Sequence, residues 1–211
     1  MSRTQSIALA AVVTIVAVAA GILSARWLLQ HQTGGQSALT TGTLISPPRP
    51  LPPIALIDQD NRPFAADRLR GGWTLLFFGF TSCPDVCPVT MSALAQTKKL
   101  LTDLPESLRP RVVMISVDPE RDTPERLVAY VKAFDPSFVG ATAAKPAIDE
   151  IAQRMGVLVA TRPLEGDNYT VDHSTSVFLI DPDGALRALF SAPHTPQQIA
   201  DDYRRIANDA A

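Results

Sequence analysis

The chain of 211 residues contains two cysteines, and both fall in Cys83-Pro84-Asp85-Val86-Cys87-Pro88. On a helix, an i, i+4 spacing sets two side chains on one face, close enough to share a metal ion or to close a disulfide. The segment follows a continuous apolar run, Trp73 to Phe80, and opens a stretch of helical spacing over 85–104 marked by Val89, Leu94, Leu100, Leu101 and Leu104. The thiols therefore belong where a strand ends and a helix begins. Backbone N–H groups and the helix dipole there favour thiolate, so both thiol pKa values are expected to fall. Two cysteines at a helix start are poorly suited to filling a core, which weighs against an inert buried pair.

A metal needs a further ligand. His173, in Val171-Asp172-His173-Ser174, immediately precedes an apolar stretch over 174–180 that enters a hairpin through Asp181-Pro182-Asp183-Gly184. If that strand runs antiparallel to the first, its beginning lies at the sheet edge where the first strand ends, and His173 faces the cysteine loop. Asp118, just past a second buried strand at 111–117, reaches the same edge, in line with the rule that open α/β sites form beyond strand carboxyl ends. Two thiolates and one imidazole form a soft set suited to Cu(I) and able to hold Cu(II). Zinc accepts the same set with an open position, so ligand type alone leaves the metal undecided. His194, before the last helix, reads as a surface residue, and His31 as a solvated linker residue.

The elements that must position these groups alternate. After the first strand and helix come the strand at 111–117 and a helix that Thr123-Pro124-Glu125 opens and that runs to about Phe134. Residues 145–155 read as helix and 157–161 as extended. The hairpin strands 174–180 and 185–190 precede a last helix from Thr195-Pro196 to about Ala207. That order predicts an α/β fold with a mixed sheet flanked by helices, its first crossover parallel and right-handed.

Composition narrows the class. With 19 Lys+Arg against 21 Asp+Glu, the formal net charge of −2 argues against a nucleic-acid surface. Two cysteines are too few for a four-thiolate cage or a disulfide-stapled mini-protein. The 46% hydrophobic share is unevenly placed. Ile7 to Ala25 carries no charge, with Arg3 before it and Arg26-Trp27 closing it. We read 1–6 as a cytoplasmic amino terminus and 7–29 as a transmembrane signal anchor, a cleaved signal peptide being the alternative. Residues 30–53, polar and then proline-rich, read as a linker, and 54–211 as the globular domain.

The segments FGFTSCPDVCP (78–88), SVDPERDTPE (116–125) and YTVDHSTSVFLIDPDG (169–184) resemble the Sco/SenC family. That resemblance implies a thioredoxin-like domain and a membrane-anchored copper chaperone for cytochrome c oxidase assembly rather than an enzyme. It carries copper ligands onto Cys83, Cys87 and His173, with a Cys83–Cys87 disulfide in the oxidised form. Copper, as Cu(I) and Cu(II), would pass to oxidase subunit II or another oxidase copper subunit. An upstream copper donor and a thiol reductant complete the partners, with no nucleic acid. Asp118 and Asp172 are expected to act outside the ligand set, through hydrogen bonds or field. The implied location is the bacterial inner membrane, single-pass, with the domain in the periplasm rather than at the mitochondrial inner membrane. The alternative is a dedicated thiol–disulfide reductase that keeps the oxidase copper-site cysteines reduced. A general thioredoxin is disfavoured, since its CxxC has two intervening residues where this chain has three. A peroxiredoxin is disfavoured too, since neither cysteine lies in a PxxxTxxC-type motif.

Overall fold

A computed structural model describes residues 14–26, 39–166 and 168–209. Residues 14–26 form helix α1 and belong to a first unit. Every other element belongs to the second unit, Leu39–Ala211. Its strands are β1 (Gly42–Pro50), β2 (Ala55–Asp58), β3 (Pro63–Ala65), β4 (Thr74–Gly79), β5 (Arg111–Ser116) and β6 (Val139–Thr142), followed by β7 (Val159–Pro163), β8 (Tyr169–His173), β9 (Val177–Ile180) and β10 (Ala185–Phe190). Its helices are α2 (Val86–Leu100), α3 (Pro124–Phe134), α4 (Lys145–Met155) and α5 (Pro196–Asp209).

An eight-stranded mixed sheet runs in the order β1-β10-β9-β4-β5-β6-β2-β3, and β7 pairs with β8 in a separate ribbon. The expected doubly buried strand is β4, with all six residues buried. It pairs parallel with β5, from Thr74↔Arg111 to Gly79↔Ser116, and antiparallel with β9. A strand covered on both faces needs apolar residues at every position rather than alternate ones, which is what the run 73–80 supplies. The hairpin at 181–184 forms as expected, with Gly184 at φ 81° in the turn. Leu75, Leu76, Phe77, Phe78, Met91, Leu94, Ile115 and Leu179 lie in the core. α2 packs on α5, and Trp73 meets Tyr203 of α5 edge to face at 5.9 Å.

Several sequence expectations are corrected. Part of the linker over 30–53 is not a tether: Gly42–Pro50 is edge strand β1, antiparallel to β10. Pro47 and Pro48 fall in the register break between Leu44 and Arg49, where a missing N–H costs no ladder bond. Buried Asp202 of α5 fastens the entry by accepting the N–H groups of Thr40, Thr41 and Gly42 at 2.8, 2.8 and 2.9 Å. The helix expected to reach 104 stops at Leu100, and the strand expected from 174 starts at Val177. Strand β6 gave no apolar signal because it is short and built of Val139, Gly140, Ala141 and Thr142. A Cβ at Gly140 would stand 3.1 Å from Leu127 Cβ, so the glycine lets α3 lie close to the sheet. Of the anchor expected over 7–29, residues 7–13 and 27–29 lie outside the described residues. Among the described residues no helix is long and apolar enough to cross a membrane.

Candidate metal centre

β4 ends at Gly79, and the chain turns through Phe80-Thr81-Ser82 to Cys83, whose N–H bonds the Phe80 carbonyl at 3.3 Å. Cys87 is the second residue of α2. Asp85, at the N-cap, makes no side-chain cap bond; instead Cys83 Sγ accepts the Cys87 N–H at 3.4 Å. A sulfur thus satisfies one of the helix's orphan donors. Cys83 is half-buried, Cys87 is buried, and both are free thiols. A Cβ on Gly79 would stand 2.6 Å from the Phe77 ring and 3.3 Å from Cys87 Sγ, so the sulfur seats there only because no side chain is present.

Asp122 holds this loop in place. Fully buried, it accepts the Thr81 N–H at 2.9 Å, the Thr81 hydroxyl at 2.5 Å and the Ser116 hydroxyl at 2.7 Å. The sequence reading did not single it out. The clue was its place in DPERDTPE, immediately before the helix cap Thr123.

His173 closes β8, opposite Val159 of β7. Its ring meets Phe77 and Phe80 edge-on, at centroid distances of 5.9 and 5.8 Å. Nδ1 lies 2.9 Å from the Ser174 carbonyl, which can only accept, so Nδ1 carries the proton. Nε2 is left with its lone pair, 3.3 Å from Cys87 Sγ. The donor atoms of Cys83, Cys87 and His173 all lie within 4.8 Å of one another. Burial pushes the imidazole pKa down, partly offset by the Ser174 carbonyl and the charge of Asp172, which keeps the ring neutral and able to ligate.

The expected fall in thiol pKa does not hold for Cys87. Burial pushes this thiol well up, the Cys83 side chain beside it adds to that, and the Phe80 backbone only partly opposes it. At a fully buried sulfur, loss of hydration outweighs the helix dipole. Cys87 is therefore a thiol without metal, and a metal must displace its proton.

The two aspartates take different places. Asp118 is buried and touches none of the three donors; it accepts the Tyr169 hydroxyl at 2.7 Å and pairs with Arg121. Asp172 is exposed and bonds Arg162 at 3.0 and 3.3 Å, pointing away from the centre as strand alternation requires. It reaches His173 by its field alone. His194 is half-buried rather than on the surface: Nε2 donates to the Thr175 carbonyl at 2.7 Å, and Nδ1 is buried without a partner among the described residues. His31 lies outside the described residues.

A mixed sheet with two thiols at its first strand–helix junction, faced by an imidazole from a separate ribbon, defines a thioredoxin-like α/β domain with a Cys-Cys-His site. A family model, SCO1/SenC, matches residues 46–208, and the chain belongs to that family. It is 36% identical over 154 residues to an SCO2-like protein of Rickettsia prowazekii, covering 72% of this chain and 74% of that protein. Among solved structures, Arabidopsis thaliana ScoI with copper bound superposes with a TM-score of 0.70 at 32% identity, over 74% of this chain and 98% of that one. Bradyrhizobium japonicum ScoI with copper bound gives 0.67 at 32%, over 74% and 99%.

Proposed function

We propose that this protein holds one copper ion between Cys83, Cys87 and His173 and passes it to the copper subunit of a cytochrome c oxidase, subunit II above all, during assembly. The observation that carries this reading is the cluster itself. Three soft donors from distant segments converge within 4.8 Å, with an imidazole lone pair aimed at a buried sulfur. Cu(I) is satisfied by such a low-coordinate set, and Cu(II) can be held by it. A closed zinc site would need a fourth ligand, and the cluster among the described residues offers three. The copper-bound relatives support the same metal. The charge-free run Ile7–Ala25 supports a single-pass anchor, with the copper domain on the periplasmic side of a bacterial inner membrane.

The alternative role uses the same sulfurs. An accessible Cys83 and a buried Cys87 suit an attacking and a resolving thiol. Cys83 would attack a partner disulfide to form a mixed disulfide. Cys87 would then displace the partner as a dithiol, leaving Cys83–Cys87 oxidised until an external thiol reductant restores it. The oxidised pair offers no thiolates, so one molecule cannot carry copper and an internal disulfide together.

Mixing the Cu(I)-loaded protein with the apo copper domain of the oxidase subunit separates the two. Metal transfer is expected, and Cys87→Ser should weaken Cu(I) binding by more than the ~10–100-fold typical of losing an outer-sphere partner. Reduction of the acceptor disulfide with no movement of metal would assign the reductase role instead.

A further inference from the structure

The segment 116–122, at and beyond the end of β5, touches both halves of the centre. At one end Asp122 grips Thr81 of the cysteine loop. From the same segment Asp118 accepts the Tyr169 hydroxyl at 2.7 Å, and Arg121 Nη1 donates to the Tyr169 carbonyl at 2.9 Å. The Arg121 guanidinium lies 3.8 Å from the centroid of the Tyr169 ring and 5.8 Å from that of Phe80. Phe80 in turn packs edge-on against His173.

Tyr169, Val171 and His173 alternate along β8 and share one face, with Val171 buried in the core. Among the described residues the β7–β8 ribbon has no strand partner in the main sheet. A two-stranded ribbon is marginal alone, so the contacts of this face decide where it sits. Tyr169 provides the polar grip on that face. Burial and the hydrogen bond to Asp118 push its phenol up to about 12, so the hydroxyl keeps its proton as donor through the neutral range.

We propose that Tyr169, held by Arg121 and Asp118, is a positioning residue that seats His173 over the two thiols, so that the segment 116–122 sets the imidazole in register with the dithiol. The inference rests on the copper reading of the site. Tyr169→Phe removes the hydroxyl bond to Asp118 while keeping the ring and the carbonyl that Arg121 contacts, and a double-mutant cycle with His173→Ala isolates the effect.

In full-length protein, Cu(I) affinity is measured against a competing chelator. Tyr169→Phe should weaken binding about fivefold, the scale of one hydrogen bond to a charged group transmitted in part. It should have no effect when His173 is already Ala. The sulfur-to-Cu(II) charge-transfer band of Tyr169→Phe should shift toward that of His173→Ala. Equal loss in both backgrounds, or no loss in the wild-type background, overturns the positioning role and leaves the copper reading standing. Wild-type affinity and spectrum in His173→Ala would overturn the ligand role of His173, and the positioning role with it.

Discussion

Cys87 Sγ lies 3.3 Å from His173 Nε2, although 86 positions of sequence separate them. The Ser174 carbonyl holds the imidazole proton on Nδ1, so the contact joins a thiol hydrogen to a nitrogen lone pair. The buried thiol keeps a hydrogen-bond partner while the metal is absent. Copper held here would replace the Cys87 proton, between two donor atoms that already face each other.

Gly79 is needed for close approach rather than for an unusual backbone angle. Gly79→Ala would press a methyl carbon against the Phe77 ring and Cys87 Sγ, at 2.6 and 3.3 Å before relaxation. Overpacking of this kind typically costs ~1–3 kcal/mol, and here it displaces a ligand as well. The variant should unfold at lower denaturant concentration and bind Cu(I) more weakly. Unchanged copper affinity would show that the sulfur has room to move.

Asp122 takes three neutral donors in the core, one from the backbone and two from hydroxyls. Asp122→Asn keeps the shape, loses the charge and sets an amide donor against groups that already donate. The loss should be roughly 2–3 kcal/mol of stability, as for buried hydrogen bonds to charged groups, with weaker Cu(I) binding because the cysteine loop is released. Denaturant unfolding and chelator competition measure the two effects. Destabilisation without any change in copper affinity would confine Asp122 to the scaffold.

Asp202 gives the fold an acid-sensitive fastening. Burial pushes its carboxyl pKa up, but the N–H groups of Thr40, Thr41 and Gly42 and the Thr41 hydroxyl outweigh that and hold it below the usual carboxylate range. A depressed folded-state pKa stabilises the fold above the unfolded value of ~3.9, and that stability is lost as pH falls through the folded value. Asp202→Asn should cost about 1–3 kcal/mol near pH 7, and the difference from wild type should shrink on acidification below ~4. Urea unfolding across that range checks it; a difference independent of pH would contradict the role of the charge.

What could be read in the chain beforehand follows from how local each signal is. Strand β4 was legible because burial on both faces demands an unbroken apolar run, and α2 because its apolar residues recur at helical spacing. Strand β1 was hidden by its prolines, which a tether and an irregular edge strand both tolerate. Strand β6 was hidden because its small residues serve the approach of α3 rather than a local propensity. Asp118 and Asp122 stand in one motif, yet one grips the histidine ribbon and the other the cysteine loop. Nothing in their spacing distinguishes them.

The sequence by itself determined the donor chemistry: two thiols at one strand–helix junction, and an imidazole ahead of a hairpin whose strand was placed against the first only by the fold. These follow from residue type, period and turn signal. Only the tertiary structure decided that Cys87 is protonated rather than a thiolate, that His173 presents Nε2, and that Asp172 faces Arg162 instead of the centre. The physical reason is that protonation and tautomer depend on hydration and on hydrogen-bond partners. At this centre, groups from Gly79 to Ser174 set both, and they become neighbours only when the chain has folded.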